Sequence, residues 1–191
     1  MKYLLIGISV LILASNLFGQ KKLRRTYGIT KMTETTVIYT DGNEINRYVS
    51  EYEVYNDEGE WIEKVDLLPD GRVKKKEIRK YEKGEVIEEI VDEPLNRGMV
   101  ERKPDYDHEK YYYDKDDLVK EEEYNRKGEL KEYTEFLYNK FGDLEEERKY
   151  DGKGNIKQVE RLKYDDRGFE VSKKTYDASE MLMESKIYTY E

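Results

Sequence analysis

The chain has 191 residues, of which 41% are charged and 13% aromatic, and its formal net charge is −9. This acidity disfavours binding to nucleic acids or anionic membrane surfaces, and the absence of cysteine excludes disulfides and thiolate metal sites. The mean hydropathy of −1.03 is typical of disordered chains, but the 19 tyrosines favour half-buried β-strands with a thin core.

The N-terminal segment, residues 1–19, is typical of a secretory signal peptide. Lys2 precedes an apolar run, and the small residue Gly19 precedes the polar Gln20. We therefore predict a helical signal peptide cleaved between Gly19 and Gln20, and a bacterial protein exported to the periplasm, the cell surface or the medium. The alternative is a retained membrane anchor, although the apolar run is shorter than the roughly 20 residues that span a bilayer. Residues 20–38 follow as a basic segment and a lead-in strand.

A tyrosine repeat dominates the rest of the chain. Successive tyrosines in the C-terminal part lie 14, 12, 14, 12 and 14 residues apart, so the compound period is 26 residues with two half-repeats. The repeat tyrosines are Tyr55, Tyr81, Tyr124, Tyr138, Tyr150, Tyr164, Tyr176 and Tyr190. We predict hairpin repeats over residues 39–91 and 113–191. The tyrosines are expected to be packing residues, and stacking on sugar rings or on a protein partner is the alternative.

A turn signature follows most of these tyrosines. Asn or Asp comes next and glycine stands four residues after the tyrosine, a pattern typical of a type I turn that closes a bulged β-hairpin. The glycines are Gly59, Gly128, Gly142, Gly154 and Gly168, and Glu180 replaces glycine in the last turn. The apolar residue two positions later is predicted to be the first inward residue of the next strand. These residues are Trp61, Val73, Val86, Val119, Leu130, Leu144, Ile156 and Leu182.

The two spacings predict the fold class. Because side chains alternate faces with period 2, spacings that differ by two residues keep the tyrosines on one face. The strand centres are charged, as in Leu144, Glu146, Arg148 and Tyr150, which disfavours a dry sandwich and favours cross-strand ion pairs. We predict an all-β protein, an extended antiparallel β-meander of tandem hairpin repeats, built as a single twisted sheet or as an open barrel-like wrap.

The phrase Tyr-Asp-x-x-Gly followed by an apolar residue resembles the YD-repeat (Rhs-type) proteins of bacteria. The stretch from Tyr81 to Val86 is similar to the short repeats of MORN-type proteins. The resemblance covers residues 39–91 and 113–190, but the compound period is longer than that of the YD family and the chain is too small for a toxin-enclosing shell. The resemblance implies a surface or secreted β-repeat scaffold without catalytic residues.

Residues 92–112 interrupt the repeat. Pro94 and Pro104 disfavour regular strand pairing, and a long loop in a regular array is a common place for binding. An insertion without a function is the alternative. The candidate partner-binding residues at this interruption are Arg97, Arg102, His108, Tyr111, Tyr112 and Tyr113.

The motifs point to no catalytic residue, cofactor or metal. His108 is the only histidine, and no Gly-x-Ser-x-Gly motif accompanies any serine. Asp151 faintly resembles the start of a calcium loop, but turn capping explains it. We expect an exported, non-enzymatic scaffold or binding module for an unidentified protein or glycan. The alternatives are a periplasmic enzyme, an accessory or inhibitor protein, or, if residues 4–19 are retained, a membrane-tethered structural protein.

Overall fold

The computed structural model describes residues 20–92, 94, 108–115, 117–125 and 127–191. Helix α1 spans residues 20–27. The strands that follow are β1 (Lys31–Thr40), β2 (Asn43–Tyr55), β3 (Trp61–Leu67), β4 (Val73–Glu82), β5 (Glu85–Asp92), β6 (His108–Asp114), β7 (Asp117–Tyr124), β8 (Leu130–Tyr138), β9 (Leu144–Asp151), β10 (Ile156–Tyr164), β11 (Glu170–Asp177) and β12 (Leu182–Tyr190).

All described strands belong to one antiparallel sheet of 12 strands, in the order β5-β4-β3-β2-β1-β12-β11-β10-β9-β8-β7-β6. The sheet is open, with β5 and β6 as its two edges among the described residues. The prediction of an all-β, antiparallel hairpin array is therefore confirmed, and the described strands form a single open sheet. The array consists of two meanders, and the first strand β1 pairs with the last strand β12 at the centre.

The turns follow from the Asx-x-x-Gly signature. In the turn after Tyr138, the Gly142 amide donates to the carbonyl of Asn139 (3.1 Å) and the Asn139 amide donates to the carbonyl of Asp143 (2.8 Å). The Asn139 side-chain oxygen accepts from the amides of Phe141 and Asp143, and Gly142 has a φ of +88°. The same pair of backbone bonds closes the turns at 56–60, 125–129, 151–155, 165–169 and 177–181.

Shorter turns join β1 to β2, β4 to β5 and β6 to β7. Each has a positive φ at a residue other than glycine: Asp41, Lys83 and Lys115. In the turn between β6 and β7, Tyr113 pairs with Leu118, which is only 2% exposed. The prediction that Val119 is the first inward residue of this strand is therefore wrong, because the turn is tighter than in the other hairpins. Three other residues predicted to point inward are exposed, because they lie outside the buried cluster that α1 covers: Val73, Val86 and Ile156.

Helix α1 packs on the centre of the sheet, where only a basic segment was expected ahead of the lead-in strand. Ile29, Met32, Tyr55 and Phe169 form the buried cluster there, and Leu23 of α1 packs against it with Trp61, Tyr188 and Tyr190. The turn at Gly59 lies so close to α1 that a Cβ on this residue would come within 2.5 Å of the carbonyl oxygen of Lys21. A side chain at Gly59 is therefore incompatible with the docked helix.

The interruption of the repeat is shorter than predicted on its C-terminal side. Strand β6 begins at His108, so Tyr111 and Tyr112 lie in a regular strand and not in an irregular segment. Three residues singled out from the sequence lie outside the described residues: Gly19 of the predicted cleavage site, Arg97 and Arg102. Gln20, the other residue of the cleavage site, is the first residue of α1 in the described part. Within the part of the chain that is described, no helix is long and apolar enough to cross a membrane.

Candidate functional site

The two faces of the sheet differ, and we call the face that α1 contacts the helix face. Met32 belongs to this face because it packs in the cluster that Leu23 of α1 joins. Glu34 and Thr36 share it, since side chains two residues apart along a strand point to the same side. Directly paired residues of neighbouring strands also share a face, so the pairing registers extend the assignment across the sheet.

A belt of charged side chains crosses the helix face at mid-strand, and acids outnumber bases in it. We call these residues the charged belt: Glu34, Glu51, Glu53, Lys64, Asp66, Glu132, Glu147, Lys149, Glu160, Lys173 and Lys186. The alternation of the sequence predicts charged strand centres, and the pairing registers bring them together as one continuous surface.

The bases of the charged belt each contact acids on neighbouring strands. Lys64 lies between two carboxylates, with its Nζ 2.9 Å from Glu51 Oε2 and 3.1 Å from Glu53 Oε1. Lys186 Nζ lies 3.1 Å from Glu34 Oε1, and the Glu34 carboxylate also accepts a hydrogen bond from Ser50 Oγ over 2.6 Å. These cross-strand ion pairs stabilise the pairing of the strands. Each lysine of the charged belt is therefore already paired with at least one carboxylate of the same chain.

Several acids of the helix face are insufficiently compensated: Glu51 and Glu147 of the charged belt, and Glu170 outside it. Burial raises the pKa of Glu51 to about 7 even though Lys64 lies beside it, and burial raises the pKa of Glu170 to about 7 as well. Burial also raises the pKa of Glu147. One carboxylate oxygen each of Asp66 and Glu170 is buried without a hydrogen-bond partner among the described residues. Buried, under-compensated carboxylates of this kind gain free energy when a cation approaches them.

Two pockets open on the helix face. The first, of about 200 Å³, lies beside α1, and its lining includes Arg24, Tyr164, Glu170 and Tyr188. The second, of about 260 Å³, lies in the middle of the charged belt. Its lining includes Glu34, Ser50, Glu51, Asp66 and Lys186. Both pockets thus present carboxylates to solvent, and both contain one of the two acids whose pKa is near 7.

The repeat tyrosines fall into two structural classes that alternate with the 26-residue period. At the end of the sheet where α1 lies, four of them donate from the hydroxyl to the backbone carbonyl at the start of the preceding strand. The bonds are Tyr81 to Trp61 (3.0 Å), Tyr138 to Leu118 (2.9 Å), Tyr164 to Leu144 (3.1 Å) and Tyr190 to Glu170 (2.9 Å). Each bond spans 20 residues and fastens the open end of one hairpin.

The tyrosines at the other end of the sheet make their contacts through their aromatic rings. Tyr150 stacks on Tyr133 with ring centroids 4.6 Å apart, and Lys120 lies over the Tyr133 ring at 4.4 Å. The guanidinium of Arg161 lies 4.8 Å from the ring centre of Tyr176. Because neighbouring side chains of the same chain already contact these ring faces, the geometry favours packing over the stacking of sugars.

Among the candidate residues of the interruption, the described side chains of Tyr111, Tyr112 and Tyr113 do not form one cluster. Tyr112 and Tyr111 point to opposite faces of β6, since they are adjacent in a strand. The Tyr112 hydroxyl donates to Glu122 Oε2 over 2.7 Å, and this bond raises the pKa of Tyr112 to about 12. Tyr113 pairs with Leu118, and the backbone of His108 pairs with Tyr124. Within the described ranges, no group of His, Cys, Asp and Glu has the arrangement to hold a metal ion.

No family model matches the chain and no curated protein matches it in sequence, so the resemblance to YD-repeat and MORN-type proteins has no support beyond the motifs. A solved structure of a DUF1329 family protein from Desulfovibrio piger is similar at 9% identity and a TM-score of 0.36, over 90% of each chain. A porin-like protein from Bacteroides uniformis is similar at 16% identity and a TM-score of 0.28. That likeness covers 77% of this chain and 54% of the other. Similarity this distant assigns the chain to neither family.

Proposed function

We propose that this chain is an exported, non-enzymatic β-repeat protein of the bacterial cell envelope or exterior, and that it binds a cationic protein partner on its helix face. The observation that carries this proposal is the excess of acids in the charged belt. Its lysines are already paired with carboxylates of neighbouring strands, and Lys64 contacts two of them, Glu51 and Glu53. A basic segment of a partner that binds across the charged belt compensates the excess negative charge of its acids.

The geometry favours a protein partner over a glycan. Carbohydrate recognition commonly relies on an aromatic ring that presents a bare face to the sugar. On the face opposite the helix face, the rings of Tyr133, Tyr150 and Tyr176 are stacked on one another or contacted by Lys120 and Arg161. Lysine and arginine side chains of a partner, in contrast, find carboxylates in both pockets of the helix face.

The export of the protein rests on the signal-peptide prediction for residues 1–19 and is tested separately. N-terminal sequencing of the product recovered from the cell envelope or the medium should show Gln20 as the first residue. A first residue of Met1 in the membrane fraction contradicts cleavage and supports the membrane-tethered alternative.

The binding proposal is tested with the full-length chain and a ten-residue oligolysine peptide as the probe. We expect binding measured by calorimetry at about pH 8, where Glu51 and Glu170 are ionised, and weaker binding as the pH falls through about 7. The double variant Glu51→Gln/Glu170→Gln should raise the dissociation constant about tenfold, because two of the under-compensated charges are gone.

Glu146→Gln is the matched control. Glu146 is adjacent to Glu147 of the charged belt and therefore points to the opposite face, where it contacts Arg148 and Arg161. The substitution Glu146→Gln removes the same kind of charge as the double variant. If the oligolysine peptide binds on the helix face, this control should leave the affinity within about twofold of the original. Equal losses from the double variant and from the control reject the helix face as the binding surface, and the absence of any binding at about pH 8 rejects a cationic partner.

A further inference from the structure

We propose that the pocket beside α1 binds a small zwitterion, such as a free amino acid, with its anionic group on Arg24 and its ammonium group on Glu170. The inference does not rest on the cationic partner, because neither Arg24 nor Glu170 belongs to the charged belt. Three observations support it: a buried arginine without an acidic partner, a glutamate side chain without a hydrogen bond, and a cavity that both residues line.

Arg24 is the buried cation of α1, with 8% of its surface exposed. Its Nε donates to the carbonyl of Gly59 over 3.0 Å, and its guanidinium lies 4.3 Å from the ring centre of Tyr55. These contacts hold the side chain in place and leave the N–H groups of both Nη atoms unused within the described residues. No carboxylate in the described part of the chain forms an ion pair with Arg24, so a buried positive charge lacks its counterion.

Glu170 supplies the opposite charge at the same cavity. Its carboxylate accepts no hydrogen bond from the residues that the structure describes, and one of its oxygens is buried. Glu53 also lines the cavity but is already engaged, since the Tyr55 hydroxyl donates to its Oε2 and Lys64 Nζ lies 3.1 Å from its Oε1. Glu170 is therefore the acid whose negative charge the ammonium group of a ligand compensates.

The cavity separates the two charges and limits the size of the ligand. Arg24 and Glu170 both line it, yet no ion pair joins them. A cation alone leaves Arg24 without a counterion and an anion alone leaves Glu170 without one, whereas a zwitterion compensates both charges. The volume of about 200 Å³ is below the roughly 300–1,000 Å³ of pockets for drug-sized ligands, so the ligand is smaller than these. Met32, Tyr164 and Tyr188 complete the lining and offer apolar surface to the carbon atoms between its charged groups.

The docking of α1 fixes the distance between the two charges. Gln20 and Arg24 are four residues apart on α1, so they lie on the same face of the helix, and both line the pocket. Gln20 Nε2 donates to the carbonyl of Gly168 over 3.2 Å, two residues before Glu170. Because α1 is thus bonded to the chain next to β11, the site should select its ligand by the distance between the anionic group and the ammonium group.

Calorimetry of the full-length chain with unbranched amino acids, from glycine to aminohexanoate, tests the site at about pH 8, where Glu170 is ionised. We expect one member of the series to bind best, with a dissociation constant below about 1 mM. The amine and the carboxylic acid of the same chain length should bind at least about tenfold more weakly, because each leaves one charge of the protein uncompensated. The absence of binding by every member up to about 10 mM overturns the proposal. An amine that binds as tightly as its amino acid overturns it too.

Two substitutions test the two ends of the site separately. Arg24→Gln should abolish the advantage of the amino acid over the amine, and Glu170→Gln should abolish its advantage over the carboxylic acid. Lys21→Gln is the matched control, because Lys21 is a cation of the same helix that pairs with Glu60 and is not part of the pocket lining. The control should leave the affinity within about twofold of the original. Equal losses from Lys21→Gln and Arg24→Gln overturn the assignment of Arg24.

The Glu170→Gln comparison keeps the proposal testable even if Arg24→Gln releases α1 from the sheet. An unchanged preference for the amino acid over the carboxylic acid in this variant overturns the proposal. Oligolysine separates this proposal from the cationic partner: Arg24→Gln removes a positive charge, so oligolysine should bind at least as tightly as to the original chain, while the amino acid binds more weakly. Binding of the amino acid without binding of oligolysine rejects only the cationic partner, and the reverse result rejects only the zwitterion.

Discussion

Replacing Tyr164 with phenylalanine removes one hydrogen bond and leaves the ring in place. The Tyr164 hydroxyl donates to the Leu144 carbonyl over 3.1 Å, and burial raises the pKa of this phenol well above its usual range, so it remains a donor at neutral pH. Loss of this bond should lower the free energy of unfolding by about 1 kcal/mol. Tyr138 and Tyr190 make the same bond in the neighbouring hairpins, so the triple variant should lose about 3 kcal/mol if the repeats contribute additively.

Urea unfolding followed by circular dichroism measures these differences. Tyr133→Phe is the control, because the Tyr133 ring stacks on Tyr150 while its hydroxyl makes no hydrogen bond within the described residues. The control should change the free energy of unfolding by less than about 0.5 kcal/mol. A loss for Tyr133→Phe as large as that for Tyr164→Phe refutes the assignment of the bond, and a triple variant no less stable than the single one refutes additivity.

Two further variants test the docking of α1 and the charged belt. Gly59→Ala and Gly142→Ala both force a side chain into positive φ, at a cost of about 1 kcal/mol, but only the former meets the backbone of α1. Thermal unfolding should therefore show a larger loss for Gly59→Ala, and equal losses contradict the docking of α1. Glu51 binds a proton more readily in the folded than in the unfolded state, so its contribution to stability is lost as the pH rises from about 4.5 to 7. Glu51→Gln should consequently raise the free energy of unfolding by about 1–3 kcal/mol at pH 8 and leave it nearly unchanged at pH 4, and an equal effect at both pH values contradicts this origin.

The turns were predictable because the residues that form their hydrogen bonds lie within five positions of one another in the sequence. Asn139 and Gly142 close their turn through bonds inside the turn itself, so the sequence alone indicates where β8 ends and β9 begins. The predicted leading residues Trp61, Leu130 and Leu144 are indeed the first residues of their strands. The tight turn before Leu118 escaped prediction because no glycine marks it, and Lys115 takes the positive φ instead.

The long-range parts of the fold were not predictable from the spacing. The alternation of side chains along a strand predicts which of them share a face, but it does not predict that β1 pairs with β12. The helix over residues 20–27 is short, and its place depends on Gly59 and Phe169, which are distant in sequence. For the same reason, the sequence shows that the centre of each strand is charged, but it does not show that these centres form one belt. The charged belt depends on the order of the strands in the sheet.

The pairing of the first strand with the last has a mechanical consequence. Strand β1 begins and β12 ends at the same end of the sheet, where the amides of Thr30 and Lys31 donate to the carbonyl of Glu191. Force applied between residues 30 and 191 therefore loads the hydrogen bonds of this pair one after another, like a zipper, and not all together in shear. A load between the turns at Gly42 and Gly59, at opposite ends of β2, acts along the strands and stretches many bonds at once. The protein should resist pulling along its strands far better than pulling at its two ends.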